Sequence, residues 1–186
     1  MGVFSLLASG IIGGVLAILF DRGVRRMLAP TIIKRKLVVG QMSISTQVSY
    51  EPPDSFGSYV YWCVPIKIKA SGMWNLLVSS IEDVRAFVTF VRCNKRFQTL
   101  WINPYTDDSS LVSLRIGTER EIGVAKVSQG VVRPYCSDEL TPADILRGDE
   151  DILIELKAGD STLGCWLFRE SIVAGSMQKV APVKTL

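Results

Sequence analysis

Chemistry requires side chains that move protons, hold metals or attack electrophiles, and this chain of 186 residues offers few of them. It contains no histidine. That removes His-activated serine or cysteine nucleophiles and the commonest transition-metal ligand. Its cysteines are Cys63, Cys93, Cys136 and Cys165, with no C-x-x-C pair among them, so a zinc knuckle has no local basis. An even number permits disulfides. Cys63 and Cys165 nevertheless sit inside apolar, strand-like runs, where a free thiol behaves as a small hydrophobe, and reduced, buried thiols are expected. The carboxylates are grouped as Glu82-Asp83, Asp107-Asp108, Glu119 with Glu121, Asp138-Glu139 and Asp149-Glu150-Asp151. All fall at loops or strand ends, where solvated charge is the ordinary reading. The last group offers oxygen atoms to a hard cation but lacks the alternating spacing of an EF-hand loop. No glycine-rich phosphate loop is present. The expectation is therefore a non-enzyme with no catalytic residue, no cofactor and no metal site.

Aromatic side chains are the other candidates for recognition. Tyr59, Tyr61, Trp62, Trp74, Trp101 and Tyr105 read mainly as core. Trp166 and Phe168 are the exception. If Leu163, Cys165 and Leu167 face inward, a period of two points Trp166 and Phe168 outward, where apolar area calls for a partner. These two are the expected docking residues.

What must hold such a surface begins with Met1 to Phe20, MGVFSLLASGIIGGVLAILF, which carries no charged side chain. As a helix it is about 30 Å long, close to the hydrocarbon thickness of a bilayer. A cleavable signal peptide needs a basic stretch before the apolar run and a small-residue site after it. Here Asp21, Arg22, Arg25 and Arg26 follow instead, so an uncleaved anchor over residues 1–28 is expected. N-myristoylation is excluded by Leu6 at the position that needs Ser or Thr. Ser5, Ser9, Gly13 and Ala17 form a stripe of small residues with Gly10 and Gly14 beside it, the composition through which membrane helices approach closely. The expected partner there is another protein or a second copy.

A basic arm over residues 29–36 follows. Between residues 21 and 36, Arg22, Arg25, Arg26, Lys34, Arg35 and Lys36 stand against Asp21 alone, while the whole chain carries +3. The basic balance thus belongs to the arm, and the remainder is mildly acidic. Basic residues beside a span stay on the cytoplasmic side and favour anionic lipid head groups. The reading is a single-pass protein of the cell membrane with its domain inside, the outside being the alternative. Nucleic acid is not an expected partner, because the domain is acidic and shows no nucleic-acid motif.

Residues 37–170 read as one domain and residues 171–186 as a tail. Met42 to Val48 alternates apolar and polar side chains, a strand with one wet face. Tyr59 to Ala70 is a second strand, in which Pro65 implies an edge, a bulge or two pieces. Val84 to Cys93, rich in β-branched and aromatic residues, reads as central. Arg96 to Asn103, Leu111 to Ile116 and Arg120 to Ser128 follow. Thr141 to Leu146 resembles a short helix with Thr141 as its N-cap. Asp151 to Ala158 and Leu163 to Glu170 form a hairpin around Gly159-Asp160-Ser161-Thr162. The expected core is Ile66, Ile68, Val84, Ala86, Val88, Phe90, Ile152, Ile154, Leu156, Cys165 and Leu167. Many short strands without crossover helices make a mainly β, antiparallel sandwich.

The arm ending Lys34-Arg35-Lys36-Leu37-Val38-Val39, the strand Trp62–Ala70 with Ser71-Gly72, the strand Val84–Val91, Leu100-Trp101 and Ile116–Ile122 together resemble a group of uncharacterised, archaeal-like prokaryotic proteins. Those chains carry one N-terminal transmembrane helix and an immunoglobulin-like β-sandwich. Ala70 departs from the asparagine frequent at that strand end. Archaellum accessory proteins share the plan, with the sandwich outside the cell. The resemblance implies an immunoglobulin-like fold but transmits no activity. The functional expectation is a membrane-anchored, non-enzymatic interaction or accessory subunit. The alternative is a membrane-tethered ligand-binding domain or carboxylate-based enzyme.

Overall fold

A computed structural model describes residues 23–24, 27–47, 59–70, 79–102, 108–128, 131–136, 146, 148–172, 182 and 184–185. Their strands form two antiparallel sheets. In the first, β3 (Tyr59–Ile68) pairs on one side with β1 (Leu37–Val39) and β2 (Ser43–Gln47). On its other side lies β8 (Glu119–Ser128), flanked in turn by β6 (Trp101–Ile102) and β9 (Val131–Pro134). In the second sheet, β4 (Ser80–Phe90) pairs with β10 (Gly148–Ala158), β10 with β11 (Ser161–Ile172), and β11 with β12 (Lys184–Thr185). The far side of β4 carries β5 (Lys95–Thr99) and β7 (Val112–Arg115).

Uninterrupted alternation makes the core. Val84, Ala86, Val88 and Phe90 lie on one face of β4, and the register sets Ala86 against Leu156, Val88 against Ile154 and Phe90 against Ile152. All seven are buried, and they meet Trp62, Val64, Ile66, Ile68 and Ile122 of the first sheet. Burying each large aliphatic side chain contributes about 1.5–3 kcal/mol, so this seam is the main source of stability. The mainly β sandwich and this part of the expected core are as the sequence implies.

Four local features differ from expectation. First, Pro65 implied an edge, a bulge or two pieces; β3 is not an edge, and its ladder with β8 shifts register between Trp62 and Cys63. Pro65 pairs with Glu121 on one side and faces the gap between β1 and β2 on the other. There Gly40 N–H donates to the Pro65 carbonyl at 2.8 Å. In a strand the N–H and C=O of one residue point to the same neighbour, so the N–H that proline lacks is directed at a break in the ladder.

Second, β11 contains a bulge. Leu156 pairs with Gly164 but Lys157 pairs with Thr162, leaving Leu163 as the extra residue. A bulge reverses the alternation beyond it. Leu163, Gly164, Trp166 and Phe168 are therefore buried, with Phe168 at 0 % exposure, while Cys165 and Leu167 are half-buried. The expected docking residues Trp166 and Phe168 are core. Cys165 and Leu167, expected in the core, face out.

Third, the Gly159-Asp160 turn is two residues long. Ala158 pairs directly with Ser161, and Gly159 takes a positive φ of 54°. Fourth, residues 27–36 are helical (α1), so the expected boundary between the anchor, 1–28, and the arm, 29–36, falls inside a helix. The packing reason is that Ala29 and Ile33, one turn apart on one stripe, enter the main core.

Among the described residues no helix is long and apolar enough to cross a membrane. The run 1–20, with the stripe Ser5, Ser9, Gly10, Gly13, Gly14 and Ala17, lies outside the described residues, as do Arg22, Arg25, Arg26 and residues 141–145 of the expected helix Thr141–Leu146. Leu146 itself is not helical but forms an antiparallel bridge, its N–H donating to the Val132 carbonyl at 2.9 Å.

Candidate interaction surfaces

Because the even-numbered residues of β10 point inward, Leu153, Glu155 and Lys157 point outward. The register places Glu155 between Phe87 of β4 and Cys165 of β11, and Leu153 between Thr89 and Leu167. Phe87, Leu153, Cys165 and Leu167 are all half-buried on the outer face of the second sheet; Leu153 and Leu167 are neighbours, while Glu155 stands between Phe87 and Cys165.

Ion pairs run through this apolar patch and along its edge. Arg96 Nη2 donates to Glu155 Oε2 at 2.6 Å, and its guanidinium lies 4.1 Å from the Phe87 ring centroid. Lys157 Nζ lies 3.5 Å from Glu155 Oε1, to which Thr162 Oγ1 also donates at 3.2 Å. Arg169 Nε donates to Asp151 Oδ1 at 2.9 Å. Solvent-exposed pairs of this kind contribute about 0–1 kcal/mol each. Their larger effect is to leave these charges matched within the face, so that the apolar patch is what the face offers a partner. Burial and the neighbouring Glu155 raise the Cys165 thiol above its ordinary value, which keeps it protonated and unreactive at neutral pH.

The outer face of the first sheet carries a different arrangement. Tyr61 and Cys63 project from β3 and pack with Ile102 and Tyr135. The Tyr61 and Tyr135 rings meet edge-on, 4.9 Å between centroids at 71°. Tyr135 lies flat over Gly123, where an added Cβ would fall 2.1 Å from its Cδ1. Its hydroxyl donates to the Asp108 carboxylate. The Thr99 hydroxyl reaches the carbonyls of Gly123 and, at 2.6 Å, of Tyr135. Burial, helped by the Glu121 carboxylate, pushes the Cys63 thiol up to about 11. Burial and the bond to Asp108 push the Tyr135 hydroxyl far above its usual range. Both stay neutral at physiological pH, so this cluster is a hydrogen-bonded cover over the sheet and not a nucleophile.

None of the four cysteines forms a disulfide: Cys63 is buried, Cys93 exposed, Cys136 and Cys165 between. Of the expected lipid-contact residues, Lys34 and Arg35 are exposed on α1 and Lys36 ends it, partly buried. Among the described carboxylates, Glu82 and Asp83 sit exposed on a bulge of β4, with Asp83 at φ 55°. No grouping of His, Cys, Asp or Glu among the described residues could hold a metal ion. Phe87, Leu153 and Leu167 are the surface residues that sequence reasoning missed. Alternation within β4 and β10 implied the first two. Leu167 was hidden by the bulge. Comparison with protein-family models, curated proteins and solved structures finds no match to this chain.

Proposed function

We propose that this chain is a membrane-anchored, non-enzymatic interaction or accessory subunit. Residues 1–28 are its single-pass anchor, and the sandwich meets a protein partner on the cytoplasmic side. The observation that carries the reading is the apolar patch Phe87, Leu153, Cys165 and Leu167, half-buried, with charges already matched to one another within it and at its edge. Apolar area left partly in water, beside charges that need no further partner, suits contact with a protein. The uncharged run 1–20 and the basic residues after it support the anchoring and its direction.

An immunoglobulin-like topology is part of the proposal. The order β1/β2, β3, β8, β6 matches strands A, B, E and D of that fold, and β11, β10, β4 matches G, F and C. The chain changes sheets at Leu100, between β5 and β6, where Gly123 N–H donates to the Leu100 carbonyl at 3.0 Å. This order is what supports kinship with the archaeal-like anchor-plus-sandwich proteins.

The test is recovery of the tagged full chain from its own membranes in mild detergent, beside a variant carrying Leu153→Asp and Leu167→Asp. The reading expects specific companions with the parent chain that are lost with the variant, while circular dichroism and a cooperative melt show that the variant is still folded. An identical set of companions with both would sink it.

A further inference from the structure

We propose that one corner of the sandwich, built by α1, β1 and the end of β3, lies against an anionic lipid surface; this rests on the anchoring read above. Three observations converge. Ala29 and Ile33 are buried in the main core, so α1 is part of the sandwich and fixes which end of it follows the anchor. The opposite side of α1 is then turned away from the domain. Met27 and Lys34 share a stripe on that side, seven residues apart, and Leu28 and Arg35 share the next. All four are exposed, Met27 at 81 % and Leu28 at 42 %. Exposed apolar side chains beside exposed basic ones on one helical face are what a membrane interface accommodates.

Tertiary pairing adds charges that lie far away in the sequence. Val38 pairs with Lys67, and Lys69 N–H donates to the Lys36 carbonyl at 3.0 Å. Lys67 and Lys69, both exposed, thus join Lys34 and Arg35 at one corner. Among the described residues the acid nearest in the pairing is Glu119, opposite Lys67. The other acids at this end, Glu82, Asp83 and Asp160, belong to the second sheet. The end is therefore polarised. Its α1–β1–β3 corner holds the excess of basic charge and suits phosphatidylserine-like head groups, while on the second sheet Arg85, Arg115 and Lys157 offset Glu82, Asp83 and Asp160. The domain would stand tilted, with the apolar patch of the second sheet turned toward the aqueous side.

The test uses the full chain in nanodiscs of phosphatidylcholine alone or with phosphatidylserine, and lysine acetylation rates read by mass spectrometry. Lys34, Lys67 and Lys69 should react about fivefold more slowly in the anionic discs, the factor that corresponds to about 1 kcal/mol for a basic side chain near such a surface. Salt at about 0.5 M should abolish the difference by screening. Lys95 and Lys126, toward the other end of the strands, should be unaffected. Lys67→Glu with Lys69→Glu should also release Lys34. Rates independent of lipid, or slowed equally at Lys95 and Lys126, overturn the proposal. Carbonate extraction separates it from the anchoring itself. A chain that stays in the pellet with lipid-independent rates keeps its anchor and loses this surface. A released chain that still floats with phosphatidylserine vesicles and shows the lysine pattern keeps the surface and loses the anchor. Release without flotation overturns both.

Discussion

Gly40 and Pro65 fit each other across the first sheet. Gly40 N–H donates to the Pro65 carbonyl, and a Cβ built on Gly40 would fall 2.5 Å from the Pro65 ring. The absent side chain of one residue makes room for the ring of the other. The pair closes the gap between β1 and β2 without leaving a proline nitrogen opposite a carbonyl that needs a donor.

Gly40→Ala should therefore lower stability by about 1–3 kcal/mol, the usual effect of forcing atoms into a packed site. Pro65→Ala combined with Gly40→Ala should recover part of that loss, because the ring is what the methyl group strikes. A double-mutant cycle by urea unfolding measures the coupling. Additive effects would show that the contact is not tight.

Phe90 and Trp166 belong to the core, and Leu167 to the surface. Phe90→Ala and Trp166→Ala should each cost about 3–5 kcal/mol, the range for removing a large buried aromatic ring. Trp166 also fills the space above Gly164, where a Cβ would come within 2.3 Å of its ring. Leu167→Ala should cost much less, since its side chain lies partly exposed on the outer face. Equal losses at Trp166 and Leu167 would contradict the phase of β11.

Alkaline pH should loosen the fold through Cys63. Its thiol is raised from 9.0 to about 11 by burial, so the folded state holds the proton after the unfolded state has released it. That stabilisation is complete below pH 9 and is lost as pH climbs toward about 11. Tyr135 adds to the loss in the same direction at higher pH. The urea midpoint should fall between pH 9.0 and about 11, and less steeply in Cys63→Ala, a comparison that unfolding curves at matched ionic strength would settle. At pH 8 a thiol reagent should modify exposed Cys93 long before Cys63.

In the run 1–20, Gly13→Leu adds bulk on the small-residue stripe but keeps the segment apolar. Insertion, read by resistance to alkaline carbonate, should be unchanged, because Leu partitions favourably into the bilayer. Association with a neighbouring helix should fall, because close packing is its main source of stability in lipid. A companion recovered equally well with Gly13→Leu would reduce the stripe to ordinary membrane-helix composition.

The sequence alone determined the class of the domain and the seam of its core. In β4 and β10 alternation runs unbroken from Val84 to Phe90 and from Ile152 to Leu156, so side-chain direction follows from counting by two. It also determined where the β10–β11 turn lies, because Gly159-Asp160 has the conformational freedom that a tight hairpin needs. The residues that point outward on β11 were not legible. One extra residue at Leu163 reverses every side chain beyond it, and a bulge is set by how two strands pair, not by the composition of either. The place of Pro65 was likewise decided in three dimensions. A proline reads as an edge unless the facing chain is broken opposite it, and that break is at Gly40, far away in sequence. The same holds for the corner formed by Lys34, Arg35, Lys67 and Lys69. Each is an ordinary surface charge in the chain. Only the packing of Ala29 and Ile33 into the core, and the pairing of β1 with β3, bring them to one side.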